Sequence, residues 1–214
     1  MISKSHPYWH VRSIVERRDD IATLSMSYYS YRPQTVADQR LIWQISADEF
    51  LDSTQVATII DETPIDQELA IHSNVVTKNG ALQHLVMVDM STSAKAHLDK
   101  LRVYLGDNFF QQIAWFNSGR SFHGYGEELL SEQDWVQFMG LLLLANQPRI
   151  EPTVDPRWIG HRLLAGYAAL RWTKKTSFYL TPPSKVESKT PNGRSSGEVG
   201  ALGKLLKKPH NSSN

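Results

Sequence analysis

Trp115–Tyr125, WFNSGRSFHGY, reads as a β-hairpin, and the rest of the chain is placed around it. Apolar and aromatic residues run up to Phe116, Asn117-Ser118-Gly119-Arg120 supplies turn chemistry, and Ser121-Phe122-His123-Gly124-Tyr125 leads away as a second strand. Successive strand side chains point to opposite faces, so Ser121 and His123 share one face while Phe122 enters the core. A hydroxyl beside an imidazole makes a small polar surface suited to an anion, and Gly119 and Gly124 would leave the backbone open to its close approach. Taken alone, the same pattern also fits a polar pair decorating a half-buried sheet.

Two stretches on either side sharpen the reading. Leu85-Val86-Met87-Val88-Asp89 is an apolar run that ends in one carboxylate, and Thr153-Val154-Asp155 is a shorter version of it. An acid at the end of a buried strand is costly unless something cationic pairs with it, and a metal ion is an economical partner. Asp89 lies 34 residues before His123, and Asp155 lies 32 after it.

This ordered trio resembles the motifs of the archaeo-eukaryotic primase superfamily, the primase-polymerases. Those proteins carry an apolar run ending in D-x-D/E, an S-x-H motif often embedded in SGxxxH, and a final apolar-Asp motif. The counterparts here are LVMVDMS (85–91), SGRSFH (118–123) and TVD (153–155). Where the family usually has a second carboxylate two residues after the first, this chain has Ser91, whose hydroxyl is a poor metal ligand. The resemblance covers 83–183 and implies an RRM-like catalytic lobe packed with helices, with a further N-terminal α/β lobe. It also implies template-directed synthesis or extension of short primers from nucleoside triphosphates, using Mg or Mn. Asp89 and Asp155 would be the metal ligands and, with His123, the catalytic set. Ser121, His123, Arg120, Arg162 and Arg171 would bind the nucleotide and its phosphates.

Each candidate also has a plainer role. Asp155 followed by Pro156 is what a helix N-cap with proline at the first position looks like. Asp89 could be a loop acid near the cap of the next helix, and His123 a histidine satisfied under a loop. On a helix after Asp155, Arg157 and His161 are four apart and share a face, with Arg162 one step round and Arg171 on the following strand. Three arginines and a histidine near carboxylates suit a triphosphate or primer backbone, because guanidinium grips phosphate bidentately.

The 214 residues suit one domain of ordinary size, or two small lobes sharing a core, and an apolar fraction of 41% with six tryptophans can fill an interior. There is no cysteine, which excludes disulfides and thiolate metal sites. The N-terminus lacks the apolar core of a signal peptide, and Leu141–Ala145, the longest apolar run, cannot span a bilayer; a soluble cytoplasmic protein with no membrane partner is expected. The net charge of +1 hides an asymmetry: from Ser184 onward there are six Lys/Arg and two acids, so residues 1–183 carry 17 basic and 20 acidic side chains. Any nucleic-acid contact in the folded part must therefore be local. Residues 1–183 are expected as the folded unit and 184–214 as a disordered basic tail, rich in Ser, Lys, Gly, Pro and Asn.

Periodicity fills in the elements. Helical spacing marks Tyr8–Arg18, a segment starting at Ala47, Ser93–Leu105, Ser131–Ala145 with a Ser-x-x-Asp cap, and Pro156–Leu164. Strand patterns mark Ile21–Tyr31, Arg40–Ser46, Glu68–Val76, Gln83–Asp89, the 111–126 hairpin, Tyr167–Trp172 and Ser177–Leu180, with Asn79-Gly80 turning one hairpin. The class is α+β, with a mixed or antiparallel sheet.

Two alternatives accompany the primase reading. One is a non-catalytic nucleotide- or nucleic-acid-binding descendant, which lost two-metal chemistry with the acid at position 91. The other is a metal-dependent phosphodiesterase. Glu127, Glu128 and Asp61 are the acids available to replace the missing ligand. With no zinc module or P-loop in the sequence, unwinding and template finding would fall to a helicase or other replication partner, and a plasmid or phage setting would suit such a chain.

Overall fold

In the computed structural model, residues 1–186 are described; positions 187–214 of the expected tail lie outside them. The chain opens with helix α1 (Tyr8–Glu16), strands β1 (Ile21–Tyr29) and β2 (Arg40–Ser46), and helices α2 (Ala47–Leu51) and α3 (Ser53–Asp61). Strands β3 (Glu68–Thr77) and β4 (Leu82–Asp89), helices α4 (Lys95–Leu105) and α5 (Asp107–Phe110), and strands β5 (Ile113–Asn117) and β6 (Phe122–Ser131) follow. Helices α6 (Glu132–Leu144) and α7 (Pro156–Ala165) and strands β7 (Ala169–Arg171) and β8 (Ser184–Lys185) complete the described part.

All eight strands join one antiparallel sheet in the order β2-β1-β3-β4-β6-β5-β8, with β7 pairing β3 off this path. The class is α+β. Among the described residues the N-terminal strands and the motif-bearing strands share this sheet. The ladder continues through Ser184 and Lys185, past the composition change, because these residues pair with Asn117 and Phe116.

Local chemistry explains most element ends. Ser46 and Glu49 form a reciprocal capping box at α2, and Asp52 accepts from Thr54 N at 2.8 Å, ending α2 and capping α3 where one helix was expected. Ser131 caps α6 by accepting from Asp134 N. Gly119 stands at φ 109° in the β5–β6 turn, a conformation that glycine adopts without strain. Ser177–Leu180 is irregular and not a strand: Phe178 and Leu180 are exposed and pair with no strand.

Leu85 to Val88 are all buried, so β4 is covered on both faces, which its unbroken apolar run anticipates. One contiguous apolar cluster reaches from α1 to Trp172. Within it His84 stacks on Trp135 of α6 with ring centroids 4.6 Å apart, and Tyr8 hydrogen-bonds Phe50 O. Among the described residues no helix is long and apolar enough to cross a membrane.

One detail of topology builds the site. β3 pairs β4 only through Asn74–Val76, and β7 takes the same edge further along, at Ala70–His72. The two long strands therefore fork, with β7 in the opening. The ends of β1, β4 and β7 and the starts of β2 and β6 all gather at the open end.

Candidate functional site

The first apolar-Asp run delivers Asp89 to this open end, and the hairpin delivers His123 directly opposite it in register. Met90 N donates to Phe122 O at 2.9 Å, holding the two strands together beyond Asp89. The second run lies against the first: Val154 bridges Met90, Ser91 N donates to Thr153 O, and Asp155 N donates to Asp89 O at 2.9 Å. Asn146 fixes that approach, because its amide oxygen accepts from Thr153 N and Val154 N while its amide nitrogen donates to Val154 O. Asp155 also caps α7, its Oδ1 accepting from Arg157 N at 2.8 Å and Trp158 N at 3.1 Å, with Pro156 at the first helical position. The cap and the place in the site coexist: among the described residues, Asp155 Oδ2 accepts no hydrogen bond.

Asp89, His123 and Asp155 line one cavity of about 190 Å³ together with Arg40, Arg162 and Arg171. Although 21% of the Asp89 side chain faces this cavity, it is sunk among protein atoms on its other sides. Burial, and after it the Asp155 charge, push the Asp89 carboxyl up to about 8, against the opposing pull of Arg171, the Ser121 hydroxyl and Arg162. Its one hydrogen bond is long, 3.4 Å from Ser121 Oγ. Burial, aided by Arg171, lowers His123 to about 3, so the imidazole is neutral. Its Nε2, 3.7 Å from Asp89 Oδ1, is therefore no ion-pair partner, and its buried Nδ1 has no hydrogen-bond partner among the described residues.

The expected open surface around the Ser-x-His pair is thus a buried one. Trp115 lies directly across from Gly124, and a Cβ built there would come within 2.7 Å of the indole. A side chain at Gly119 would meet Leu180 at 3.2 Å. These glycines make room for the protein's own side chains, where the sequence suggested room for a ligand.

The arginines divide. Arg120 is exposed on the hairpin turn and does not line the cavity. Arg171 is buried, and its guanidinium donates to the carbonyls of Ser118 and Thr181, at 2.8 and 3.2 Å, and to that of Thr173. It lies 3.9 Å from the centre of the Tyr179 ring, leaves Nε without a partner, and ties the hairpin turn to the C-terminal segment. Arg162 is 3% exposed; its NH2 donates to Asp38, while its buried NH1 has no partner among the described residues. Arg157 and His161 line the same cavity from α7, as their helical spacing suggested.

Other groups escaped the sequence reading. Tyr29, Asp38 and Arg40, contributed by the β1–β2 connection and its flanks, line the cavity. Burial drives the Asp38 carboxyl up, but the hydrogen bonds and charges of Arg40 and Arg162 outweigh it and hold the group below the usual range. Of the acids offered as a replacement ligand, Glu127 and Glu128 sit in a bulge of β6 opposite Val86, Asp61 ends α3, and none lines the cavity. Among the described residues no group of three or more His, Asp or Glu is placed to hold a metal ion.

Three short motifs scattered along the chain have come together at one cavity. The family described as archaeo-eukaryotic primase 1D-like (AEP-like) matches residues 47–184, more than half of the chain. The chain belongs to that primase family. The match contains all three motifs and starts well before Gln83, where the motif resemblance began. Tyr29, Asp38 and Arg40 precede it, so part of the cavity is walled by residues outside the matched region. No curated protein matches the chain.

Proposed function

We propose that the cavity binds a nucleoside triphosphate with a Mg or Mn ion, and that the chain is a nucleotidyltransferase that makes or extends short primers on a single-stranded template. The observation that carries this reading is the meeting of Asp89, His123 and Asp155, far apart in sequence, in one arginine-walled cavity. The donor set suits one hard cation: two carboxylates lie close enough for Asp155 to help push Asp89 up, and one Asp155 oxygen is unused. Two carboxylates plus substrate phosphates and water are a usual environment for magnesium. When bound, the ion would neutralise the charge of the leaving pyrophosphate and activate the attacking hydroxyl.

The chain's own groups have separable tasks. Arg162, with Arg40 beside it, presents fixed guanidinium donors to the β- and γ-phosphates. His123, being neutral, can donate a hydrogen bond to a phosphate oxygen without bringing a second full charge next to Arg171. Arg171 braces the hairpin turn through Ser118 O, and Tyr29 and Tyr179 close the inner wall. The bond that forms runs from a primer 3′ oxygen to the α-phosphorus, and the bond that breaks releases pyrophosphate.

The direct test incubates the protein with Mn, labelled nucleoside triphosphates and a single-stranded template, with and without a primer. Incorporation supports the proposal, whereas absence of both incorporation and nucleotide binding overturns it. Ser91 favours one second reading, a non-catalytic binding module. That reading wins if neither the native chain nor Ser91→Asp incorporates nucleotide while both bind single strands. Loss of nucleotides from the strand would instead indicate a phosphodiesterase.

A further inference from the structure

Tyr29 and Arg40 are direct partners in the β1–β2 ladder, yet ten residues, 30–39, join them where two to five would close the hairpin. The segment has no regular structure and holds Gln34 at φ 58°. It folds over the cavity, whose wall includes Arg32, Gln34, Thr35 and Asp38. Several contacts fasten it down, among them the Tyr31 ring against Phe178 and Tyr179. Arg157 NH2 donates to Thr35 O at 3.3 Å, and the Asp38 carboxylate takes Arg40 Nε at 2.9 Å and Arg162 NH2.

A carboxylate accepting from two guanidinium groups is chemically close to a phosphate doing the same. The space beneath is too small for a whole nucleotide: about 190 Å³, against the several hundred usual for such ligands. A second cavity of about 330 Å³ adjoins the first, sharing Tyr29, Ser30, Arg32, Ala37 and Arg40 with it. Segment 30–39 contributes Ser30, Arg32 and Ala37 to both walls, so moving it would enlarge the space beside Asp38. Arg162 meanwhile keeps one buried donor, NH1, with no partner.

We infer that Asp38 is an internal stand-in for a phosphate: it holds Arg40 and Arg162 until a polyphosphate takes them, and segment 30–39 is a strap that opens when this happens. The inference rests on the nucleotide reading of the cavity and adds its regulation. A single carboxylate in place is a competitor that a triphosphate, with several negative oxygens, displaces more readily than a monophosphate does. The strap thereby selects ligands by phosphate number. It also keeps the buried guanidinium of Arg162 compensated when no ligand is bound, a state that would otherwise be costly.

The test measures binding of inorganic tripolyphosphate, a nucleoside triphosphate and its monophosphate by calorimetry, to the native chain and to Asp38→Asn. Tripolyphosphate and triphosphate should bind about tenfold more tightly to the variant, since the closed state no longer competes, and the preference over monophosphate should shrink. Equal or weaker binding by a folded variant overturns the strap. Should Asp38→Asn fail to fold, hydrogen exchange on the native chain decides. Peptides covering 30–39 should exchange faster when tripolyphosphate is added, and slower or unchanged exchange overturns the inference. If the polyphosphate results hold but no nucleotide is incorporated, the strap stands and the transferase reading falls. If nucleotide is incorporated while Asp38→Asn leaves affinity unchanged, the strap alone falls. Absence of any polyphosphate binding to either form sinks both.

Discussion

Glu68 and Asp89 are carboxylates at the same end of one sheet, on strands that fork away from each other, and their surroundings are opposites. Glu68 is fully buried and accepts four hydrogen bonds, from Thr173 Oγ1, Lys175 N, Thr176 N and Thr176 Oγ1. Asp89 has one long hydrogen bond, a neutral imidazole and a second acid beside it. Burial is tolerable for an acid when donors replace the water it loses. Glu68 is thus an anchor that pins 173–176 to β3, whereas Asp89 is left short of donors for its charged form, the shortfall that the cation proposed above would make good.

The comparison is sharpest in activity. Asp89→Asn and Asp155→Asn should each cut nucleotide incorporation by about 100-fold or more, since metal-derived stabilisation is worth several kcal/mol. Glu68→Gln should leave incorporation within a few-fold of the native rate. A Glu68→Gln variant as impaired in incorporation as Asp89→Asn would break the distinction. In stability the order reverses: Glu68→Ala should cost about 3 kcal/mol in denaturant unfolding by stranding several donors, whereas Asp89→Asn should stabilise the metal-free chain at neutral pH.

Titration gives a finer test. Asp89 sits at about 8 when folded and near the ordinary carboxylate value, roughly 4, when unfolded. In the absence of metal the folded chain keeps a proton there that the unfolded chain releases. The associated stability is complete below about pH 4 and is lost as pH climbs through about 8. Thermal melts of Asp89→Asn against the native chain should therefore show the variant gaining several degrees between pH 5 and pH 9, with Mn narrowing the gap at pH 8. A gap that ignores pH would contradict the assignment. Ser91→Asp should tighten Mn binding several-fold by calorimetry, because Ser91 follows Asp89 along the edge that faces Thr153. The smallest effect belongs to Arg120→Ala: within about 0.5 kcal/mol in stability, as for other exposed positions, and little change in nucleotide affinity.

What the sequence disclosed follows from how local its signals are. Asp89 and His123 were legible because an apolar run that stops at an acid and a period-2 pair on a hairpin are written in adjacent residues. The cap at Asp155 was legible from Pro156 alone. Glu68 was not, because it reads as an ordinary surface acid until Thr173 and Thr176 arrive from the far end of the chain. Asp38 and Arg40 were missed for a similar reason: nothing in residues 30–39 tells that the connection lies over the cavity and not out in solvent. The neutral state of His123 depends on the packing around it, which a motif does not record. Ser177–Leu180 shows the converse failure, in which a strand-like alternation met no free ladder.

β3 is completed out of order, and this bears on synthesis. Its edge along Ala70–His72 stays open until Ala169–Arg171 leave the ribosome, on the order of ten seconds later at usual elongation rates. During that interval the nascent chain displays an unpaired apolar strand edge, the kind of surface on which neighbouring copies from one polysome can pair.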